Sequence, residues 1–222
     1  RQDADVDLTA ALSTFAWVPI GDNDRSFRGL FDGQGYAIEG FTLDSDSDAS
    51  GFFASTLNAT VRNVVLSNVD VTFRGTKVGA LIGHAEQTEL TQVRVTGDAA
   101  FGASSTEAGG VIGKAKGVEM HDVEVDLDAT GGFSYVAGVV GHAEAFRGSE
   151  IHVEGTLVIS ASETVEYVGG VFGEVKHSRL TGSSARMIID ADIEYGDHVG
   201  GVAGKAENVE FEDITSQGII TG

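Results

Sequence analysis

The sequence predicts an all-β protein: a right-handed parallel β-helix of about 30 residues per coil with three short strands in each coil. Three observations carry this. Five glycine-centred blocks recur, Val78-Gly-Ala-Leu-Ile-Gly83, Ala108-Gly-Gly-Val-Ile-Gly113, Val136-Ala-Gly-Val-Val-Gly141, Val168-Gly-Gly-Val-Phe-Gly173 and Val199-Gly-Gly-Val-Ala-Gly204. Their closing glycines are spaced 30, 28, 32 and 31 residues apart, a period of solenoids, propellers or arrays. The residues that follow each block align column by column, and they alternate apolar with polar as half-buried strands do.

Taken in order along the chain, residues 1–49 are an amino-terminal capping or entry section, not a full repeat, and residues 50–222 are six coils of one continuous domain. The first coil is the weakest copy: Ser50-Gly-Phe-Phe-Ala54 lacks the second glycine. Seven places after each closing residue stand Val61, Leu90, Met120, Gly148, Leu180 and Phe211; ten places after stand Val64, Val93, Val123, Ile151, Ser183 and Ile214. Both columns are expected inside. The ninth place holds Asn63, Gln92, Asp122, Glu150, Gly182 and Asp213, which reads as a polar ladder at a corner. Third strands follow, as in Thr156–Ala161 and Arg186–Ala191, with loops such as Gly102-Ala-Ser-Ser-Thr106 between strands. Thirty residues is short for a four-stranded propeller blade, and like residues in every column suit stacked coils. Parallel crossovers give the right hand. The glycines are expected to relieve crowding where each coil turns; no helix pattern or Walker lysine follows them, so a phosphate loop is disfavoured.

The amino-terminal motifs Asp5-Val-Asp-Leu8, Trp17-Val-Pro-Ile-Gly21, Phe27–Ile38 and Val61-Arg-Asn-Val64, followed by the glycine blocks, resemble the GLUG-motif repeat proteins of bacterial and archaeal surfaces. The resemblance covers nearly the whole chain. It implies a β-helix domain in an extracellular or cell-surface setting.

Composition narrows the chemistry. There is no cysteine, which excludes disulfides, thiolate catalysis and Cys-ligated zinc. A net charge of −20 argues against nucleic acid and anionic membranes as partners, and such an acidic excess is associated with halophiles. No apolar run is long enough to insert in a membrane. The opening at Arg1 suggests a processed protein or an excised fragment.

Candidate sites are few. Asp122, Glu150 and Asp213 share a column, and a hydrolase needs two carboxyls roughly 5 to 9.5 Å apart; a surface ladder is the simpler reading, so no catalytic residue and no enzyme is expected. Asp44, Asp46 and Asp48 place alternating carboxylates on a loop, as a calcium ion prefers, and calcium is the one cofactor considered. Asn58-Ala-Thr60 is a glycosylation sequon. The six histidines read as solvated, and His84 and His142, two coils apart at about 9.6 Å, are too distant to share an ion. The function expected is a non-enzymatic extracellular solenoid: an adhesin or stalk module, or a subunit of a head-to-tail filament. The alternative is a carbohydrate-binding or polysaccharide-degrading β-helix. Partners are expected at the coil ends, as copies of itself or further repeats, with glycans or surface proteins as other ligands.

Overall fold

A computed structural model describes residues 1–102, 106–131, 134–159, 165–191 and 198–221. The centre of the 102–106 loop and the end of Thr156–Ala161 lie outside them. About seven parallel coils stack roughly 30 residues apart. Three sheets run up the stack, one of 12 strands and two of six.

Every coil from the second to the seventh follows the same course. A short strand such as Glu107–Gly109 enters the first six-stranded sheet, and a second, Ile112–Lys116, enters the other. A long strand, Glu119–Gly131, then crosses the 12-stranded sheet; in the last two coils it is broken, into Arg179–Thr181 and Ser184–Ala191 and into Glu210–Glu212 and Thr215–Thr221. The expected division into strands therefore needs correction. The glycine block is split between two strands at a corner, whereas the aligned run and the third strand are continuous in Glu89–Phe101, Glu119–Gly131 and Arg147–Ile159.

Glycine lets the two small sheets close on each other beside that corner. A β-carbon on Gly173 would sit 2.6 Å from the carbonyl oxygen of Gly141 and 2.7 Å from the nitrogen of Val136. No real β-carbon tolerates such distances, so the two small sheets meet backbone to backbone only because the closing residue has no side chain. Further bends come from two columns of left-handed residues. Asn58, Gln87, Gly117, Ala145, His177 and Asn208 have φ of 45–61°, and Asn63, Gln92, Asp122, Glu150, Gly182 and Asp213 have φ of 52–57°. The polar ninth column is thus a left-handed corner repeated in six successive coils, filled mostly by residue types that accept that conformation.

The register matches the sequence columns. Val61, Leu90, Met120, Gly148, Leu180 and Phe211 are successive partners, as are Val93, Val123 and Ile151. These side chains form the core. At Gly148 the missing volume is supplied by Phe146, whose ring would meet any β-carbon placed there. Ser183 departs from the apolar column, and its hydroxyl is satisfied: it accepts from the Ile151 amide at 3.0 Å and donates to the Thr181 carbonyl at 2.9 Å.

The ends differ. Parallel pairing begins ahead of residue 50, because Leu30–Asp32, Ala37–Glu39 and Thr42–Ser45 all pair with Thr60–Phe73 and make a first coil. Leu8, Leu12 and Trp17 pack over it, with Trp17 stacked on Phe52 at 4.7 Å and edge-on to Phe41 at 5.6 Å. At the other end Phe211 and Ile214 were expected inside. Phe211 is 41% exposed, against 0% for Leu180 below it, and Ile214 is only half-buried.

Candidate functional site

The densest polar chemistry lies where the two small sheets close on each other. Six residues before each closing glycine stand Lys77, Glu107, Tyr135, Tyr167 and His198; one residue after it stand His84, Lys114, His142, Glu174 and Lys205. Strand pairing stacks each set into a ladder. The glycine contacts bring the ladders side by side in a seam along the solenoid.

Two carboxylates anchor the seam. Glu107 is buried and Glu174 is only 1% exposed. Lys114 Nζ donates to Glu107 Oε1 at 2.6 Å, and His142 Nδ1 lies 3.1 Å from the same oxygen. His142 Nε2 is 3.7 Å from Glu174 Oε2, so the imidazole bridges the two acids. Glu174 Oε1 receives Lys176 at 2.9 Å and Lys205 at 2.8 Å. The rings of Tyr135 and Tyr167 stack at 5.6 Å, and Lys205 Nζ lies 4.8 Å from the Tyr167 centroid.

Burial pushes both carboxyls up, yet the partners prevail. Hydrogen bonds from His142 and Lys114 hold Glu107 below the ordinary glutamate range, and those from Lys205 and Lys176 do the same for Glu174. Glu174 in turn raises Lys176 and Lys205. Burial, then Lys77 and Lys114, push His84 down. Both acids of the seam are kept ionised, and each has one oxygen paired with a lysine. Such a set ties neighbouring coils and the two sheets together; it offers no acid poised to give up a proton near neutrality.

A second charged ladder runs beside the seam. Glu86, Lys116, Glu144, Lys176 and Glu207 are successive partners, alternating in sign at every coil. On the broad sheet Arg94 meets Glu124 at 3.1 Å, Arg147 meets Glu119 at 3.3 Å and Arg179 meets Glu212 at 2.7 Å, all across adjacent coils. An open trough of about 620 Å³ lies along these residues, bordered by Arg147, Arg179, Glu150 and Asp213.

The sites expected from the sequence fare differently. Asp122, Glu150 and Asp213 sit on the left-handed corner; Glu150 faces His121 at 3.7 Å, and Gly182 separates it from Asp213. Asp44, Asp46 and Asp48 are engaged separately and are not gathered into a metal-holding group. Asp44 pairs with Arg74 of the next coil, Asp48 with Lys77 and Thr76, and Asp46 is exposed. Hydrogen bonds from Lys77 and Thr76 hold Asp48 down to about 2. Among the described residues no group of three or more His, Cys, Asp or Glu side chains is placed to hold a metal. Asn58 is exposed at its corner, with φ of 50°. The solvated reading of His84 and His142 is also corrected: both lie in the seam, His142 with its side chain 15% exposed. Glu107 and Glu174 were missed altogether, although their fixed offsets from the closing glycines are visible in the sequence.

Comparison with known proteins adds little to this geometry. No family profile matches the chain, and no solved structure does. A Gly-rich membrane protein of Evansella cellulosilytica is 41% identical over 86 residues, which is 36% of this chain and 10% of that protein. The chain therefore spans far less than two thirds of that relative. Among the described residues no helix is long and apolar enough to cross a membrane.

Proposed function

We propose that this chain is a non-enzymatic structural solenoid, a rigid spacer or stalk module of an extracellular or cell-surface protein of the GLUG-repeat kind. One observation carries the reading: Arg94, Lys114, Arg147, Lys176, Arg179 and Lys205 are each engaged by an acid of the same or the adjacent coil, in the seam and on the broad sheet. Charge spent in this way fixes register and resists shear between coils, which a load-bearing rod needs. The absence of cysteine fits a chain that relies on ladders alone. The Gly-rich membrane protein, about ten times the length of the shared segment, supports a place within larger surface polypeptides.

A glycan-binding face is the second reading, favoured by the trough beside Arg147 and Arg179. One experiment separates the two. Small-angle scattering should give a rod, and incubation with neutral and acidic polysaccharides should give neither retention nor cleavage. Turnover that disappears in Asp122→Asn or Asp213→Asn would replace the structural reading with an enzymatic one.

A further inference from the structure

One flank of the solenoid carries its charges in an order that is complementary to itself. It is the left-handed corner of Gln87, Gly117, Ala145 and His177, where the sheet of Ile112–Lys116 turns into the broad sheet. Just before the corner stand Glu86, Lys116, Glu144 and Lys176, successive partners that read acid, base, acid, base. Two residues after it stand Glu89, Glu119, Arg147 and Arg179, also successive partners, which read acid, acid, base, base. Read backwards, each series becomes its own opposite: every acid meets a base and every base an acid.

These charges are free to meet a partner. Glu86 and Lys176 are half-buried and the other six are exposed. Glu86, Lys116 and Glu144 make no close ion pair among the described residues. Glu119 and Arg147 pair with each other, and Arg179 with Glu210 and Glu212, on the open surface, where such pairs are worth little and are readily shared.

We propose that a second copy of this chain docks antiparallel along this corner, related by a two-fold axis that passes between the coil of Gly117 and that of Ala145. Glu86 then faces the partner's Lys176, Lys116 the partner's Glu144, Glu89 the partner's Arg179 and Glu119 the partner's Arg147, and symmetry repeats each contact. At the axis Gly117 faces the partner's Ala145, so the smallest residues of the corner lie where the two backbones come closest. Glu207 and Glu210 come opposite the partner's Leu57 and Thr60, which carry no charge. Other registers fail. Centring the axis on either coil sets Lys116 or Glu144 against itself. Moving it by one whole coil sets Glu89 against Glu119 or Arg147 against Arg179. A parallel arrangement sets Glu86 against Glu89 and Lys176 against Arg179. Opposed like charges of this kind are what excludes a wrong pairing. The net charge of −20 opposes association at long range, but at physiological salt that repulsion is screened beyond about 8 Å, and charges in contact are not. The inference goes beyond the structural reading, which concerns the single rod.

Sedimentation velocity of the full chain over a range of protein concentrations at physiological salt tests this. A monomer–dimer equilibrium is expected with no larger species, because a two-fold contact closes on itself. Lys116→Glu and Glu144→Lys should each weaken the dimer about tenfold, and the double exchange should restore it. Far-ultraviolet circular dichroism shows whether each variant is folded, and recovery in the double variant separates a lost contact from a damaged fold. A monomer at every concentration, growth beyond the dimer, or a dimer indifferent to the exchange would overturn the contact. Each of these leaves the rod reading standing, since that is judged from the shape of the monomer.

Discussion

Two polar columns climb this solenoid and resemble each other in composition, yet they do different work. In the ninth column Asn63, Gln92, Asp122, Glu150 and Asp213 are present because the backbone there turns left-handed. In the seam Glu107, His142 and Glu174 are present because their charges meet. The first column is specified by φ and tolerates any residue that can reach it. The second is specified by partners and fails when one is removed. Conformation is a local property, and pairing across 31 or 35 residues of sequence is not.

Val123 sets the scale for that contrast, because it adjoins Asp122 and is fully buried. Val123→Asp should cost about 4 kcal/mol by placing an unpaired charge in the core, whereas Asp122→Asn, one residue away, should leave the melting temperature unchanged. Thermal melting of the two variants side by side would break the comparison if they behaved alike.

Within the seam, Glu174→Ala leaves Lys176, Lys205 and His142 facing an empty position. We expect a loss of about 3 kcal/mol in denaturant unfolding. Glu150→Ala, also a glutamate facing a histidine but at the exposed corner, should show no comparable loss. Equal effects would mean that the buried pairings contribute no more than surface ones.

Acid should reveal the same distinction. His84, Glu107 and Glu174 are all held below the ordinary values of their side chains, 6.5 for histidine and 4.5 for glutamate. A depressed folded value means that the unfolded chain binds the proton first, so stability is full above the unfolded value and is lost as pH falls toward the folded one. The stability curve should therefore begin to fall below about 6.5 through His84 and fall more steeply below about 4.5. His84→Gln should flatten the upper part only. A variant whose curve kept the upper slope would assign it to another group.

How much of this was legible in the sequence follows from the same contrast. The repeat period, the inward columns and the polar corner could all be read, since each depends on residue type at a fixed offset; that the corner is left-handed is a finding of the structure. The strand division could not be read: the block from Ala108 to Gly113 reads as one strand, and only the opposing backbone shows that it breaks after Gly109. The pairing of Asp44 with Arg74 and of Asp48 with Lys77 was not legible, because these partners stand about one coil away in sequence. His142 looked solvated for the same reason: neither Glu107 nor Glu174 is near it along the chain. Reading the columns six before and one after the closing glycine would have placed Lys114 beside Glu107 and His142 between the two acids.

The smallest expected effect lies in the other left-handed column. Asn58, Gly117 and Asn208 suit that conformation, but Ala145 adopts φ of 51° with a β-carbon and no side-chain hydrogen bond to compensate. Replacing alanine by glycine usually destabilises a strand through backbone entropy. At this corner the steric relief should win, so Ala145→Gly is expected to stabilise by about 0.5–1 kcal/mol. Ala145→Asn should do the same to a smaller degree, whereas Ala143→Gly, two residues earlier in a buried strand, should destabilise. Chemical denaturation resolves differences of this size, and a destabilised Ala145→Gly would mean that the left-handed corner is held by its neighbours at no local cost.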